Sequence, residues 1–506
     1  MSKPTAEIIK AGWGTADITP KRPVDLYGQY YQRVSKAVRD PLSVTAVALE
    51  QPSAGQRLGQ AILVSCDQAM VDRALMEAVR ENLKKQIPDF DPSMLVVSAT
   101  HTHNAPGAHE PLPFWKRDPA LLPSAEFRAT LIGAIVFAAA QAWKSRAAAQ
   151  IGAAAGLASV GHCRRPVYQD GSSEMYGATD RPDFVGMEGG EDDTVGVVGV
   201  WSARGDLTGL LVNVVCPSQV MEATYVVTAD MFGEMRRVLQ ERCGKNVSVL
   251  CQVGAAGDQA PRDLTRPHRG GPTYWDEAGM VELGRRLADA AMQALPRAEL
   301  SRQASPVLRH LVLAPRLPLR MVSTEEYAQA VSELGALMAR EPGGASPSAG
   351  GSAFVGGSSP VSAYASFLAK TVEREKLPVP GPYDDKNDDL VLIINRELMV
   401  ERFRKQRRDP EYTAELHVLR LGDTALSTSP FELFLDYGLR IRASSPAALT
   451  LHAQLACDEA GYLPTARAVA GGGYGALVAN GLIGPDGGQL LAQSILKGMR
   501  RLFSPK

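Results

Sequence analysis

Short apolar runs rich in β-branched residues alternate with amphipathic helical stretches along most of this chain. Residues 44–49 and 61–65 have the composition of buried strands, and residues 74–85 follow with apolar side chains at helical spacing. This alternation predicts an α/β fold in which helices flank mixed sheets. The other predicted strands are residues 94–99, 195–201, 207–215, 247–253, 417–421 and 424–427, and the other predicted helices are residues 127–143, 230–241, 274–294, 324–340, 361–376, 431–442 and 490–502.

One segment interrupts this pattern. Residues 342–360, with the sequence PGGASPSAGGSAFVGGSSP, are rich in Gly, Ser and Ala and carry too little side chain to bury. They lie between the predicted helices at 324–340 and 361–376. We interpret them as a flexible surface loop or linker within a helical insertion, with a lid as the alternative.

Charge and cysteine usage exclude several classes of function. The 506 residues carry 54 Lys and Arg against 55 Asp and Glu, a formal net charge of -1, so the chain lacks the cationic excess of a nucleic-acid or anionic-membrane binder. The first ten residues contain no apolar stretch of the kind found in signal peptides, and no run of 18 apolar residues predicts a membrane span. The six cysteines form no CxxC pair and are expected to be reduced. We therefore expect a cytoplasmic protein with a small-molecule partner; the sequence does not determine its oligomeric state.

The strongest local motif is Thr100-His101-Thr102-His103, at the point where an apolar strand runs into a loop. In a strand, residues two apart lie on the same face, so both imidazoles can line one cleft. Imidazole is a common metal ligand and proton carrier. The alternative is a pair of loop histidines that bind backbone groups.

Three further segments carry polar residues at strand ends. Residues 253–262 place Asp258 in a small-residue loop, where glycines can expose backbone N–H groups to a substrate or Asp258 can simply cap a turn. Glu432 lies at a predicted strand-to-helix junction, where it can bind a metal or interact with the helix dipole. Tyr462 and Tyr474 lie in Gly-containing loops that are usually structural.

Taken in order, these motifs resemble those of the neutral (non-lysosomal) ceramidases, a family of zinc-dependent amide hydrolases. The likeness covers nearly the whole chain. The segments that carry it are AGWGTADITP at 11–20, DPL at 40–42, the two-histidine motif at 100–107, GHCRR at 161–165, TAD at 228–230, SPFE at 429–432 and the spacing of Tyr462 and Tyr474.

The resemblance implies one catalytic domain spanning residues 1–506, without the C-terminal immunoglobulin-like domain of true ceramidases. It also implies zinc as the cofactor, although another divalent metal would suit the same donors. The implied zinc ligands are His101, Glu432 and Tyr462, with His103 in contact with the transition state and Arg164 and Tyr474 in contact with the substrate.

Two positions depart from the pattern of the family. Its second zinc histidine lies in an N-F-A-x-H-P-T run, which here reads Asn213-Val214-Val215-Cys216-Pro217-Ser218-Gln219. When the prolines are matched, Cys216 replaces that histidine, and a thiolate binds zinc well. When the asparagines are matched, Pro217 falls at this position and the ligand is lost. The first matching predicts Cys216 as a zinc ligand, and the alternative is an inert buried thiol.

The second departure removes the nucleophile of the family. Its serine lies in G-D-V-S-P, where this chain has Gly257-Asp258-Gln259-Ala260-Pro261. Since alanine cannot form an acyl intermediate, a hydrolase of this kind needs metal-bound water, whose pKa zinc can lower to about 7. Asp258 or His103 would then accept the proton.

Three hypotheses remain at this stage. The first is a metal-dependent hydrolase of an amide, related C–N or ester bond in a soluble small molecule. The second keeps the metal but changes the reaction to that of a lyase or isomerase, since His, Asp and Tyr suit acid–base chemistry equally well. The third is a non-catalytic descendant that binds a ligand and contains no stoichiometric metal.

Overall fold

The computed structural model describes residues 7–51, 59–111, 117–266, 274–339 and 389–504. The predicted loop at 342–360 and the predicted helix at 361–376 lie outside these residues. Within the described residues, strands and helices alternate as the sequence pattern predicts.

Eight strands form a large mixed sheet: β1 (Lys10–Asp17), β2 (Ser43–Glu50), β3 (Gln60–Cys66), β4 (Leu95–Ala99), β5 (Ala147–Leu157), β6 (Thr194–Ser202), β7 (Leu207–Val214) and β8 (Ser248–Val253). Their order across the sheet is β8-β7-β6-β5-β1-β2-β3-β4. The inner neighbours are antiparallel, and a parallel pair closes each edge, β3 with β4 and β7 with β8. The predicted mixture of strand directions is therefore confirmed.

A second, four-stranded sheet consists of β9 (Leu308–Leu313), β10 (Leu416–Leu421), β11 (Thr424–Thr428) and β12 (Leu449–Ala453), in that order. Strands β10 and β11, which correspond to the predicted strands at 417–421 and 424–427, form a hairpin, and β12 runs parallel to β11. The two sheets pack face to face through large apolar side chains, among them Trp13 and Leu63 from the large sheet and Leu426 and Leu451 from the small one.

Helices cover the outer faces of both sheets, so the fold has four layers. On the large sheet, α2 packs on β1 and β2, α4 packs on β5 and β6, and α1 and α3 lie beside them; on the small sheet, α9 packs on β10. The helices are α1 (Arg73–Gln86), α2 (Ser124–Lys144), α3 (Asp230–Cys243), α4 (Glu277–Leu300), α5 (Thr324–Ala339), α6 (Asp389–Lys405), α7 (Leu435–Ala443), α8 (Ala466–Gly471) and α9 (Pro485–Phe503).

Small residues allow α2 to lie very close to the sheet. A Cβ atom at Gly12 or Gly14 of β1 would collide with the carbonyl oxygens of Ala142 and Ala138 on α2. By length and composition, α2 is the one helix among the described ranges that could cross a membrane. Ten of its residues, including Phe127 and the Ala-rich turns, are buried in the protein, which accounts for its apolar character without a membrane.

Several two- and three-residue strands join distant loops around the carboxyl end of β4. Two of these pairs carry candidate site residues: Glu432–Leu433 runs parallel to Tyr462–Leu463, and His162–Cys163 runs antiparallel to Gln259–Ala260. The other short pairs are Asp25–Leu26 with Arg33–Val34, Ala37–Val38 with Val226–Val227, Pro166–Tyr168 with Phe184–Met187, and Arg316–Pro318 with Glu411–Thr413.

Several predicted helices have different bounds from those expected, and two of these differences have a clear cause. The helix predicted for residues 431–442 begins only at Leu435, because Glu432 and Leu433 pair with a strand about thirty residues later in the chain. The helix predicted for residues 274–294 spans Glu277–Leu300, because the side chain of Asp276 caps its first turn by accepting from the N–H of Gly279 at 2.7 Å.

Candidate active site

The two histidines of the strongest motif lie side by side just beyond β4. Their rings contact edge to face with centroids 4.9 Å apart, and both side chains are buried. The two rings lie together, but strand alternation is not the cause. The strand ends at Ala99, and His101 adopts a left-handed backbone conformation with φ of 61°, which turns the chain between the two rings.

His101 presents one ring nitrogen to Glu432. Its Nδ1 lies 2.6 Å from the carbonyl oxygen of Ala69, which can only accept, so Nδ1 carries the ring proton. The opposite nitrogen, Nε2, lies 3.3 Å from Glu432 Oε2. Burial alone lowers the pKa of His101, but the Glu432 carboxylate offsets this effect and leaves the pKa above its ordinary value.

The short parallel strands bring Glu432 and Tyr462 together. Both side chains are buried, and their backbones are direct neighbours in the pair. Burial raises the pKa of Glu432, but the charges of His101 and Arg164 reverse this shift, so the pKa is lowered and Glu432 remains a carboxylate. Burial and the neighbouring Glu432 charge raise the pKa of the Tyr462 phenol well above its usual value.

Arg164 is fully buried and lies against the same group. Its Nη2 donates to the carbonyl of Gly257 at 2.9 Å and to Tyr462 Oη at 3.3 Å, and it lies 3.7 Å from Glu432 Oε2. Its Nη1 donates to Tyr176 Oη at 3.3 Å. The guanidinium is therefore held in a fixed position with its charge beside Glu432.

Tyr474 lies on the outer side of this cluster. Its ring packs edge to face on that of Tyr462, with centroids 5.9 Å apart, and its hydroxyl lies 2.9 Å from the hydroxyl of Tyr30. The structure thus brings together His101, His103, Arg164, Glu432, Tyr462 and Tyr474 from the residues identified in the sequence.

Cys216 lies apart from this group. Its thiol donates to the carbonyl of Val160 at 3.3 Å and belongs to the apolar core between the large sheet and α3 and α4. Burial raises the pKa of the thiol well above its ordinary value. Among the described residues, the donor atoms of Cys216, His101 and Glu432 do not all lie within 4.8 Å of one another. The placement therefore favours the alternative of a buried thiol.

Asp258 has a structural partner. Its Oδ1 accepts from the N–H of Leu435 at 2.8 Å, at the first residue of α7, where a carboxylate also interacts favourably with the helix dipole. Burial nevertheless raises its pKa to about 6. Ala260, at the position of the missing serine, is fully buried in the pair with His162.

Sequence reasoning missed the residues around His103. The side-chain amide of Gln219 donates to His103 Nε2 at 2.8 Å, so the proton of the neutral ring is on Nδ1. This Nδ1 atom lies 2.8 Å from Glu222 Oε2. Gln29 donates to the same oxygen at 3.1 Å, whereas Glu222 Oε1 has no hydrogen-bonding partner among the described residues. Gly28 lies directly against the imidazole, so any larger residue there would collide with it. The one available signal was an acidic residue within the apolar run Val220-Met221-Glu222-Ala223.

Buried carboxyl groups with raised pKa values surround the histidine pair. Burial raises the pKa of Glu222 to about 7, whereas it lowers that of His103 well below its ordinary value. Burial and the nearby Glu432 charge also raise the pKa of Glu459 to about 7. Groups that titrate near neutral pH in a buried cluster are typical of acid–base sites.

The donor chemistry of this cluster fits a divalent metal. In the neutral ring, the Ala69 carbonyl places the proton on Nδ1, so His101 Nε2 is free to bind a metal and faces the Glu432 carboxylate beside the Tyr462 phenol. One imidazole nitrogen, one carboxylate oxygen and one phenol oxygen are three donors, the number that a catalytic zinc site takes from the protein while a fourth position stays open. A hydrogen bond from the second ring nitrogen to a carbonyl is the usual support of a metal-bound histidine.

Comparisons with known proteins bear on the fold. No family model and no curated protein matches the sequence. A solved structure described as a ceramidase complexed with C2 is similar in fold, with a TM-score of 0.64 and 17% sequence identity. The aligned region covers 97% of this chain and 74% of the ceramidase chain. The neutral ceramidase from Pseudomonas aeruginosa is similar to 99% of this chain and 76% of its own, with the same TM-score and identity. The protein thus has a neutral-ceramidase-like fold.

Proposed function

We propose that this protein is a metal-dependent hydrolase that uses zinc and acts on an amide, related C–N or ester bond of a soluble small molecule. The observation that carries the proposal is the 3.3 Å approach of His101 Nε2 to Glu432 Oε2, with Tyr462 paired to Glu432 and Arg164 beside both. Imidazole and carboxylate are ligand types of catalytic zinc sites, and the Tyr462 phenol would be the third donor. The neutral-ceramidase-like fold agrees with hydrolysis of an amide bond, although a fold alone does not fix chemistry.

The site has lost the side chain that would attack a substrate covalently, since Ala260 carries no nucleophile. Water is then the nucleophile. A divalent cation, when bound, lowers the pKa of water and polarises the scissile carbonyl. His101, Glu432 and Tyr462 would hold it, and Cys216 is not needed in this set.

Proton transfer falls to the pair formed by His103 and Glu222. The pKa of His103 lies well below neutrality because the ring is buried, so the imidazole is uncharged. Glu222 Oε1 has no hydrogen-bonding partner among the described residues and is the free acceptor of the pair. We assign the base to this pair rather than to Asp258, whose carboxylate caps α7 through Leu435.

Arg164 and Tyr474 are the substrate-binding residues of the proposal. The fixed guanidinium of Arg164 stabilises negative charge that develops on the carbonyl oxygen during attack. The Tyr474 hydroxyl, close to that of Tyr30, supplies a hydrogen-bonding group at the outer side of the cluster.

A lyase or isomerase reaction at the same site is the second candidate. The observation that favours it is the pKa of about 7 for both Glu222 and Glu459, which suits removal and return of a proton next to a carbonyl. Exchange of deuterium from solvent into a candidate substrate without hydrolysis would distinguish this reaction.

The test combines metal analysis with a substrate panel. Purified protein and a His101→Ala variant are compared for zinc content and for turnover of soluble amides and esters, with ceramide as a membrane-lipid comparison. We expect His101→Ala to lose the catalytic metal and the turnover, whereas His109→Ala, a half-buried histidine beside Asp72, retains both. Unchanged zinc content in His101→Ala would refute the ligand assignment.

A further inference from the structure

A second buried cluster lies at the opposite end of β4, between the two sheets and α1. It contains Glu415, His417 and Cys457, whose donor atoms all lie within 4.8 Å of one another. His417 Nε2 is 2.8 Å from Glu415 Oε1 and 3.6 Å from Cys457 Sγ. His417 and Cys457 are buried and Glu415 is largely so.

The hydrogen bonds of this cluster leave no proton between His417 Nε2 and the Glu415 carboxylate. His310 Nδ1 lies 3.1 Å from the carbonyl of Gln60, which can only accept, so this nitrogen carries the proton of a neutral His310. His310 Nε2 is then an acceptor, and His417 Nδ1 must donate to it across 2.8 Å. In a neutral His417, Nε2 therefore carries a lone pair. This lone pair faces the Glu415 carboxylate, so two hydrogen-bond acceptors lie against each other.

A cation between these acceptors resolves the conflict. Two donors bound to one tetrahedral zinc at about 2.1 Å for nitrogen and about 2.3 Å for sulfur lie about 3.6 Å apart. The separation of His417 Nε2 and Cys457 Sγ is 3.6 Å. The hydrogen bond from His417 to His310 is also the support that a metal-bound histidine receives in proteins.

We propose that Glu415, His417 and Cys457 form a second zinc site, separate from the candidate active site. Binding deprotonates the Cys457 thiol and releases that proton to solvent, leaving a thiolate, a carboxylate and a neutral imidazole on the ion. Arg80 of α1 donates hydrogen bonds to both oxygens of Glu415, from Nη1 to Oε2 at 2.9 Å and from Nη2 to Oε1. These bonds orient the carboxylate.

Glu415, His417 and Cys457 supply three ligands, so water would complete the tetrahedron of the ion. The position of these residues in the fold gives the ion a linking role. His417 belongs to β10 of the small sheet. The N–H of Cys457 donates to the carbonyl of Val97 in β4 of the large sheet at 2.9 Å. Arg80 adds α1 to the same group. The ion thus ties both sheets and a helix to the segment that leads to Glu459 and Tyr462 of the candidate active site.

Cobalt substitution of the whole protein gives the decisive test. Cobalt bound to a thiolate has a near-ultraviolet charge-transfer band, which we expect in the unmutated protein, in Cys216→Ala and in the buried-thiol control Cys66→Ala. We expect its loss in Cys457→Ala. A band that disappears in Cys216→Ala and persists in Cys457→Ala would overturn the second site, as would the absence of a band in the unmutated protein.

Zinc content separates this proposal from the proposed function. Loss of about one ion per chain in Cys457→Ala, with the other lost in His101→Ala, supports both sites. Loss in His101→Ala alone overturns the second site, and loss in Cys457→Ala alone overturns the catalytic one. Should Cys457→Ala not fold, X-ray absorption of the Cys216→Ala protein decides, because a zinc–sulfur distance of about 2.3 Å supports the site and its absence refutes it.

Discussion

The two clusters at the ends of β4 contain the same types of residue but differ in how their polar atoms are used. At the amino end, Glu415 accepts hydrogen bonds from Arg80, and His417 is hydrogen-bonded to His310. At the carboxyl end, Glu222 Oε1 and Gln219 Oε1 have no hydrogen-bonding partner among the residues described. A buried polar group without a partner is costly, and use by a ligand or in a reaction is one explanation for its presence.

Under the two proposals, the comparison is between a structural cluster and a reactive one. Four or five residues of β4 separate them, on the order of 13 Å of extended chain. A substitution at the amino end should act on stability, and one at the carboxyl end should act on activity. The five predictions below test this division, in order of decreasing expected effect.

The largest effect is expected for Glu432→Gln. This change removes the charge that holds His101 and a proposed metal ligand, so turnover should fall by about 10³-fold or more with loss of the catalytic metal. Stability should change little, because the amide retains the shape of the side chain. Steady-state kinetics on the most active substrate of the panel, together with zinc analysis, measure the effect. Retention of both activity and metal would remove Glu432 from the site.

His417→Ala should have the opposite profile. Removing this ring leaves Glu415 and His310 without a shared partner in the interior, and breaking such a buried network costs about 3–5 kcal/mol of unfolding free energy. Urea unfolding measures the loss, with His109→Ala as a half-buried control expected to cost about 1 kcal/mol or less. A cost as small as that of the control would show that the amino-end cluster is not a structural unit.

Glu222→Gln tests the proton-transfer assignment. The amide keeps the bulk of the buried side chain but cannot accept a proton, so turnover should fall by about 10²-fold or more while metal content is retained. The control is Gln29→Ala, which removes only a hydrogen bond to Glu222 and should reduce turnover much less. Gln29→Glu is unsuitable as a control because it would place a second acid beside Glu222. Equal losses in the two variants would argue against a special role for Glu222.

The sequence predicted the α/β fold with mixed sheets and flanking helices better than the details of either cluster. Runs of β-branched residues identify strands such as β2 and β3 because burial of their side chains is a local property of the pattern. The pairing of Glu432 with Tyr462 is not local, and a helix was wrongly predicted at residues 431–434 for that reason. Strand pairing between residues thirty positions apart leaves no periodic signal.

The candidate site was predicted in part, and mainly through the family resemblance. The positions of His101, Arg164, Glu432 and Tyr462 follow motifs that resemble those of ceramidases, and the structure brings these side chains together. Glu222 belongs to no motif and becomes apparent only when its burial is known. The direction of a thiol such as Cys216 depends on the rotamer and on the loop path, which composition does not determine.

Glu459→Gln should change the pH dependence of stability. Burial raises the pKa of this carboxyl to about 7 in the folded protein, above its unfolded value of about 4.3. The folded state therefore holds an extra proton between these values, and stability falls as pH rises through this window. In Glu459→Gln the fall from pH 4.5 to 7.5 should be smaller by about 3 kcal/mol. Urea unfolding at several pH values measures it, with Glu77→Gln on the exposed side of α1 as the control; an unchanged slope would contradict the raised pKa.

The smallest effect is expected for Asp258→Asn. The amide oxygen of asparagine can still accept from the N–H of Leu435, so α7 keeps its cap and stability should fall by about 1 kcal/mol or less. Turnover should stay within a few-fold of the wild-type value, since the base is assigned to His103 and Glu222. Measured beside Glu222→Gln, this variant ranks the two carboxyl groups directly. A loss of about 10²-fold in Asp258→Asn, with Glu222→Gln still active, would move the base to Asp258 and make the open oxygen of Glu222 a packing defect rather than a reactive group.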